Sequence, residues 1–436
     1  MKKILFLLFT LNLFSQFEER IVVRLIEVPV QVTDKEGNLI VDLKKDDFEL
    51  YVDKQPHPIT HFYEIKESTI ANKEFADFLQ ERGIKIKEPI SKKRLFILID
   101  DQRVIPNDFK RNLNALINFI NTTLKEGDEI SIFSISPSLK ELFPLSPNIK
   151  EAIKLLSSYS PSGILSSRWL LESKMLEDTI ARQSFSSSFM RLRSFVEEKK
   201  WEIESTIENL KAFYQNFSGL EGRKISLLLS EGYPTIPGIE FFYQLEKRFP
   251  QRAVLNESIN YDLSPAFQEL AYIALNSNFV IYSLDTKGLT PFSGMDSEYG
   301  SLEDVYGADL TDVQMGSRSK QATLKIISNI TGGQAIVNQN DPSKPLSSIA
   351  LGLNNYYIIG FQSTSDENKK LHTIEVKLKN PEFTLSYFKN FKSFSEDLIF
   401  EQKIGSFYYI EKETKNPLNI KASFGKSEKE GKFYKI

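Results

Sequence analysis

Three short stretches of this chain carry side chains able to do chemistry, and each follows an apolar run. Asp100-Asp101-Gln102-Arg103 follows residues 95–99, Ser230-Glu231-Gly232 follows residues 225–229, and Asp285-Thr286 follows residues 279–284. Carboxylates and hydroxyls are hard oxygen donors, so the three ends brought together would suit a hard cation, Mg2+ or Ca2+. Other site chemistries are poorly supplied. The chain has no cysteine, which excludes disulfides, thiolate metal sites and a cysteine nucleophile. Its only histidines are His57, His61 and His372. His57 and His61 are four apart, but Pro56 and Pro58 rule out a helix there, so the pair reads as a surface pair in a turn. There is no phosphate loop, nucleophile elbow or H-E-x-x-H motif. Gly332-Gly333 falls after a helical pattern and before a strand pattern, the reverse of a dinucleotide fingerprint.

The elements that must position these residues follow from the periodicity. Continuous apolar runs such as residues 95–99 mark strands buried on both faces. After Pro106, with Asn107 as candidate cap, Phe109, Leu113, Leu116, Ile117, Ile120 and Leu124 keep helical spacing until Gly127. A strand at 130–135 and an edge strand near 141–145 come next. Then follow a strand at 225–229, a helix at 265–275, a strand at 279–284, a helix at 322–330 and a strand at 334–337. This alternation predicts an α/β class with a doubly wound, mostly parallel sheet over residues 92–345, helices on both faces. Ligands of such sheets lie outside the carboxyl ends of the strands, where the three acidic stretches fall. A helical insertion at 160–222 carries a stripe through Phe189, Leu192, Val196, Ile203, Ile207, Leu210, Tyr214 and Phe217. It reads as one long helix packed on the sheet in preference to a partner-binding arm. Residues 286–318, rich in glycine, serine and aspartate, read as a long surface loop.

Small antiparallel β units flank this domain. Residues 21–66 hold a β-branched run, a turn signal at 34–37 and an alternating segment at 47–52. A charged linker follows at 67–93. Residues 354–392 form a C-terminal β hairpin unit, and 395–436 a polar tail. Residues 1–15 read as a signal peptide: Lys2 and Lys3 precede an apolar stretch at 4–14, and Ser15 offers a small residue for cleavage. That stretch is too short to span a bilayer, which takes about 20 residues, though an uncleaved N-terminal anchor is the rival reading. No later segment reaches spanning length, so a mature chain exported to the periplasm, the cell surface or beyond is expected, with no membrane span. The formal net charge of −3 shows no basic excess of the kind that nucleic-acid binding requires.

The order of elements resembles a von Willebrand factor A domain. The whole arrangement resembles, more narrowly, the bacterial exported VWFA-related domain proteins. Residues 28–34 and 47–53 of the leading β unit carry that resemblance, with Leu98-Ile99-Asp100-Asp101 at the opening of the sheet domain and residues 356–361 ahead of the final hairpin. It covers roughly residues 21–390 and rests on the shared order of diffuse motifs. It implies a cation site of the form Asp-x-Ser-x-Ser after the first strand, completed by a Thr and an Asp from later loops. Asp100 matches the leading position, but Gln102 and Val104 stand in place of the serines and Glu231 in place of the later Asp; Ser162 or Ser166 would replace the Thr. Val104 offers no oxygen, and Arg103 and Lys110 add opposing charge. The plainer expectation is that Asp100 caps the sheet edge by accepting backbone N–H groups of the next turn. If a cation is held, Asp100, Asp101, Gln102 and Glu231 are its candidate ligands. The function expected is an exported, non-enzymatic protein-binding or adhesion-type module using the carboxyl edge of the sheet. Its cation dependence would be weak or lost, and its partner a protein of the envelope. A metal-dependent hydrolase using Asp100, Asp101, Glu231 and Asp285 is the alternative, with the shortage of histidine and of a nucleophile against it. A structural envelope scaffold is a third reading.

Overall fold

Leu95, Phe96, Ile97, Leu98 and Ile99 are all 0 % exposed, so the strand they form must be covered on both faces. The computed structural model shows how; it describes residues 23–66, 69–70, 92–136, 138–220, 222–289, 310–364, 371–392, 404, 406, 428–430 and 433–435. The expected signal peptide at 1–15, most of the linker at 67–93 and nearly all of the tail at 395–436 lie outside the described residues. The chain opens with β1 (Val23–Thr33), β2 (Phe48–Val52), β3 (Gln55–His57), β4 (His61–Lys66) and β5 (Thr69–Ile70). The central domain then runs β6 (Lys93–Ile99), α1 (Pro106–Thr123), β7 (Glu129–Ser136), β8 (Ser138–Ser146), α2 (Ile149–Ser158), α3 (Ile164–Arg182) and α4 (Phe185–Asn216). It continues with β9 (Arg223–Ser230), α5 (Ile239–Arg248), α6 (Leu255–Ser258), α7 (Ser264–Asn276), β10 (Phe279–Asp285), α8 (Leu310–Ile330), β11 (Ala335–Ile336) and α9 (Ser343–Asn354). Last come β12 (Tyr356–Thr364), β13 (Leu371–Leu378), β14 (Thr384–Ser386), β15 (Asn390–Lys392) and a hairpin of β16 (Glu428–Glu430) with β17 (Phe433–Lys435).

The central sheet has six strands in the order β11-β10-β9-β6-β7-β8, parallel throughout except for β8, which runs antiparallel at the edge. Side chains alternate across it as a strand requires. Leu95, Ile97 and Ile99 join a core made with α1, α2 and α9, whereas Phe96 and Leu98 join one made with α4, α7 and α8. This is the expected doubly wound, mostly parallel sheet with antiparallel β units beside it. The order reverses at β6, and the crevice for a ligand lies at its carboxyl end.

Several local expectations are revised. Helix α1 starts at Pro106 with Ile105 as its cap, not at a side-chain cap from Asn107. A proline in the first turn gives up an N–H that had no helical partner. The single long helix expected within 160–222 is two. The chain breaks at Gln183 and restarts where the Ser184 hydroxyl accepts from Ser187 N. The carboxyl half of α4 packs on the sheet, while Leu192, Phe195 and Val196 of its amino half meet α3 and α5 in a separate cluster. Residues 310–318, read as loop, belong to α8. Among the described residues, no helix is long and apolar enough to cross a membrane.

The flanking β units, set apart in the sequence as 21–66 and 354–392, interleave. Strand β12 lies between β1 and β4 in a five-stranded sheet, and β13 lies between β15 and β2 in a four-stranded one. Val28, Val30 and Val32 from β1, Phe48 and Leu50 from β2, Tyr357, Ile359 and Phe361 from β12, and Ile374 and Val376 from β13 share one apolar layer. His57 and His61 accordingly sit on strands β3 and β4, not in a turn. The central domain is therefore an insertion in a β-sandwich, and its two ends are clasped: Lys93 Nζ donates to Asn354 Oδ1, beside Asp128 at 3.5 Å. Truncating Ile359 to Ala should cost about 2–5 kcal/mol. It should raise amide hydrogen exchange in β1, β4 and β12 together while leaving β6 and β9 protected, a pattern hydrogen-exchange mass spectrometry would read.

Candidate functional site

Parallel register sets the row of side chains at the carboxyl edge. Ile99 pairs with Leu229, and Leu229 with Leu284, so Asp100 falls next to Ser230, which pairs with Asp285. Asp100 is completely buried. Its amide continues the ladder to Leu229 O at 2.9 Å, and the Ser230 hydroxyl donates to Asp100 Oδ2 at 2.8 Å. The Asp100 carbonyl accepts from Arg103 N at 3.1 Å and Val104 N at 2.8 Å. The main chain thus closes the turn that the Asp100 carboxylate was expected to cap. That turn carries the Val104 side chain into the apolar core and folds Arg103 back over Asp100, Nη1 to Oδ1 at 3.6 Å.

The loop after β6 is bound to the start of α3. Asp101 O accepts from Ser162 N and Gly163 N at 3.0 Å, and Gln102 O from Leu165 N at 2.8 Å and Ser166 N at 3.3 Å. These carbonyls satisfy the helix's first amides, which have no partner inside it. Gly163 makes the approach possible: its φ is +60°, and a Cβ there would meet Ile105 Cα and Val104 O at 3.3 Å. The Asp101 carboxylate accepts from Tyr159 OH and from Ser162 Oγ at 2.9 Å. Gln102 Nε2 donates to Ser136 Oγ at 3.1 Å, and Ser166 Oγ to Arg103 O at 2.7 Å. Both serines considered as cation ligands therefore fasten this loop.

The other two strand ends are tied down similarly. A Cβ on Gly232 would lie 2.4 Å from Lys320 O, so the loop after β9 runs hard against α8. Glu231 is buried, with Lys320 Nζ 3.8 Å from Oε2 and no hydrogen-bond partner at Oε1. Asp285 accepts from Lys287 N at 3.1 Å and from Gln321 Nε2 at 3.3 Å. Arg111 Nη2 donates to the carbonyls of Thr286 and Lys287 at 2.8 and 2.7 Å, clamping the loop after β10 to α1. Burial pushes the Asp285 carboxyl up to about 6, opposed by the Lys287 amide and reinforced by the charge of Glu231. Burial also raises the Asp108 carboxyl, against the pull of Arg111.

Arg103 is a buried cation 3.6 Å from Asp100, and the charges of Asp100 first, then Tyr233, Glu202 and Glu231, stabilise it. The side chains of Asp101 and Gln102 are drawn off to Tyr159, Ser162 and Ser136. Of the candidate ligands, Asp101 and Gln102 are thus engaged by partners other than Asp100 and Glu231. Among the described residues, no group of three or more acidic or histidine side chains is disposed to hold a metal ion. The position beside Asp100 holds a guanidinium, 3.6 Å from Oδ1, which opposes a divalent ion there, although Asp100 Oδ1, Glu231 Oε1 and Thr286 Oγ1 have no hydrogen-bond partner among the described residues. Of the four carboxylates in the hydrolase reading, Asp285 is raised in part by the charge of Glu231, while Asp101 is turned to Tyr159. His57, His61 and His372 all lie in the sandwich, on β3, β4 and β13.

The fold has distant likenesses among solved structures. The von Willebrand factor domain of the type V pili tip protein Mfa5 from Porphyromonas gingivalis is 11 % identical, with 61 % of this chain and 95 % of that one covered and a TM-score of 0.32. The conserved hypothetical protein BatB from Bacteroides thetaiotaomicron is 12 % identical, with 60 % and 97 % covered and a TM-score of 0.29. The pilus adhesin SpaC from Lactobacillus rhamnosus GG is 10 % identical, with 70 % and 44 % covered and a TM-score of 0.34. No protein-family model matches the chain, and no curated protein matches it. Likenesses this distant carry no argument about what the edge does, so the side chains must.

Sequence reasoning placed the edge but missed Ser230 as the donor to Asp100, Tyr159 as the partner of Asp101, and Arg111 as the clamp on the third loop. Only Ser230 left a signal, being the last residue of its strand. The Asp285 shift has a measurable consequence. The folded state binds a proton between about pH 6 and the ordinary carboxyl range near 4, where the unfolded chain does not. This group's contribution therefore makes the protein more stable as pH falls through that window, by about 3 kcal/mol at most. Asp285→Asn should flatten that part of the stability profile, as urea titrations at a series of pH values would show.

Proposed function

We propose that this chain is an exported, non-enzymatic binding module that engages a protein partner of the cell envelope with the rim of its carboxyl sheet edge. One observation carries the reading: the edge separates a sealed polar interior from an exposed, mixed apolar and basic rim. Inside, Asp100, Arg103, Glu231 and Asp285 are buried. On the outside, Ile164, the first residue of α3, is 59 % exposed, and Leu289, on the loop after β10, is 52 % exposed. Lys287, two residues before Leu289, and Lys110 on α1 are exposed as well. Exposed apolar side chains within a polar surround are the ordinary composition of a protein contact. The basic pair favours an acidic partner surface. No histidine stands at the edge to act as general base, which favours binding over hydrolysis. The apolar stretch at residues 4–14 supports export.

The full chain, immobilised and exposed to an envelope extract, would yield a partner for identification and for titration as a purified protein. Ile164→Asp and Leu289→Asp should each weaken that binding about tenfold or more while leaving the melting temperature unchanged. A partner that binds both variants as tightly as the parent chain does not use this edge, and the proposal would fail.

A further inference from the structure

The buried guanidinium beside Asp100 suggests a further step, independent of the partner reading. We propose that Arg103 is a built-in cation, taking the place of a divalent ion at the carboxyl edge so that the charge balance of the site comes from the chain itself. A carboxylate with no solvent exposure needs a compensating charge. The Asp100 side chain is 0 % exposed and that of Arg103 only 9 %, with 3.6 Å between them. Arg103 also lies over the ring of Tyr233, 4.7 Å from guanidinium carbon to centroid. The pairing is a product of the turn, since hydrogen bonds from Arg103 N and Val104 N to one carbonyl bring the third residue on back over the first. A divalent ion bound to Asp100 would meet this fixed positive charge. It would also compete for the carboxylate oxygens of Asp101, which accept from Tyr159 and Ser162, while the Gln102 amide is turned so that its Nε2 donates to Ser136 Oγ.

The test reads stability, so its outcome stands apart from any partner. The full chain is stripped with EDTA and melted with and without millimolar MgCl2, CaCl2 or MnCl2. The parent protein should shift by less than about 1 °C with each salt. Arg103→Met, which keeps the bulk and removes the charge, should melt about 5 °C lower or more and regain part of the loss with Mg2+ or Mn2+. Arg103→Lys should lose clearly less than Arg103→Met. A rise of more than about 3 °C in the parent on adding an ion would overturn the proposal. So would an Arg103→Met variant that melts like the parent or ignores the ions, or a Lys variant no better than Met. If Arg103→Met does not fold, the double variant Asp100→Asn/Arg103→Met, with both charges removed, should recover folding. Failure to do so would count against the pair.

Discussion

A carboxylate enclosed in a protein must find a positive charge or hydrogen-bond donors, or else take up a proton, and the end of the central strand answers that need with a charge. Strand β6 is covered on both faces, so Asp100, one residue beyond it, has no route to water. The turn that follows answers this in two ways. It delivers Arg103 to the carboxylate, and it sends Val104 into the apolar layer under α1. The spent carbonyls of Asp101 and Gln102 then receive the first amides of α3. Charge balance, core packing and the attachment of the helical insertion are thus consequences of one turn.

The same economy governs the loops after β9 and β10. Gly232 brings one of them within backbone contact of α8, and Arg111 holds the other to α1 through two carbonyls. Their polar groups face inward, so the surface left to the outside is made by neighbours such as Ile164, Lys287 and Leu289.

Much of this was legible in the chain. The apolar runs at 95–99, 225–229 and 279–284 specified buried parallel strands, because strands covered on both faces show no alternation. Their acidic ends marked the edge. The direction of each side chain within the turn was not legible: it depends on hydrogen bonds from Ser162, Gly163 and Ser230, which lie far along the sequence. Helices α5 and α9 went unread; only packing on the sheet or on α4 stabilises such short segments. The pairing of β1 with β12 escaped for a different reason. Each strand carries its own pattern, but nothing local says that residues 23–30 meet residues 357–364.

That pairing has a consequence for the order of assembly. Closing a loop of some three hundred residues is entropically unfavourable and slow when it must be found by chance. Here the enclosed segment folds on its own parallel sheet and brings its ends to one point, where Lys93 meets Asn354. Once it has formed, the chain that must be closed between β4 and β12 shrinks from nearly three hundred residues to the few tens outside the clasp, and loop closure becomes correspondingly less unfavourable. The sandwich is therefore expected to form late, completed by the domain it surrounds, and a fault in the central sheet should leave β1 and β12 without each other.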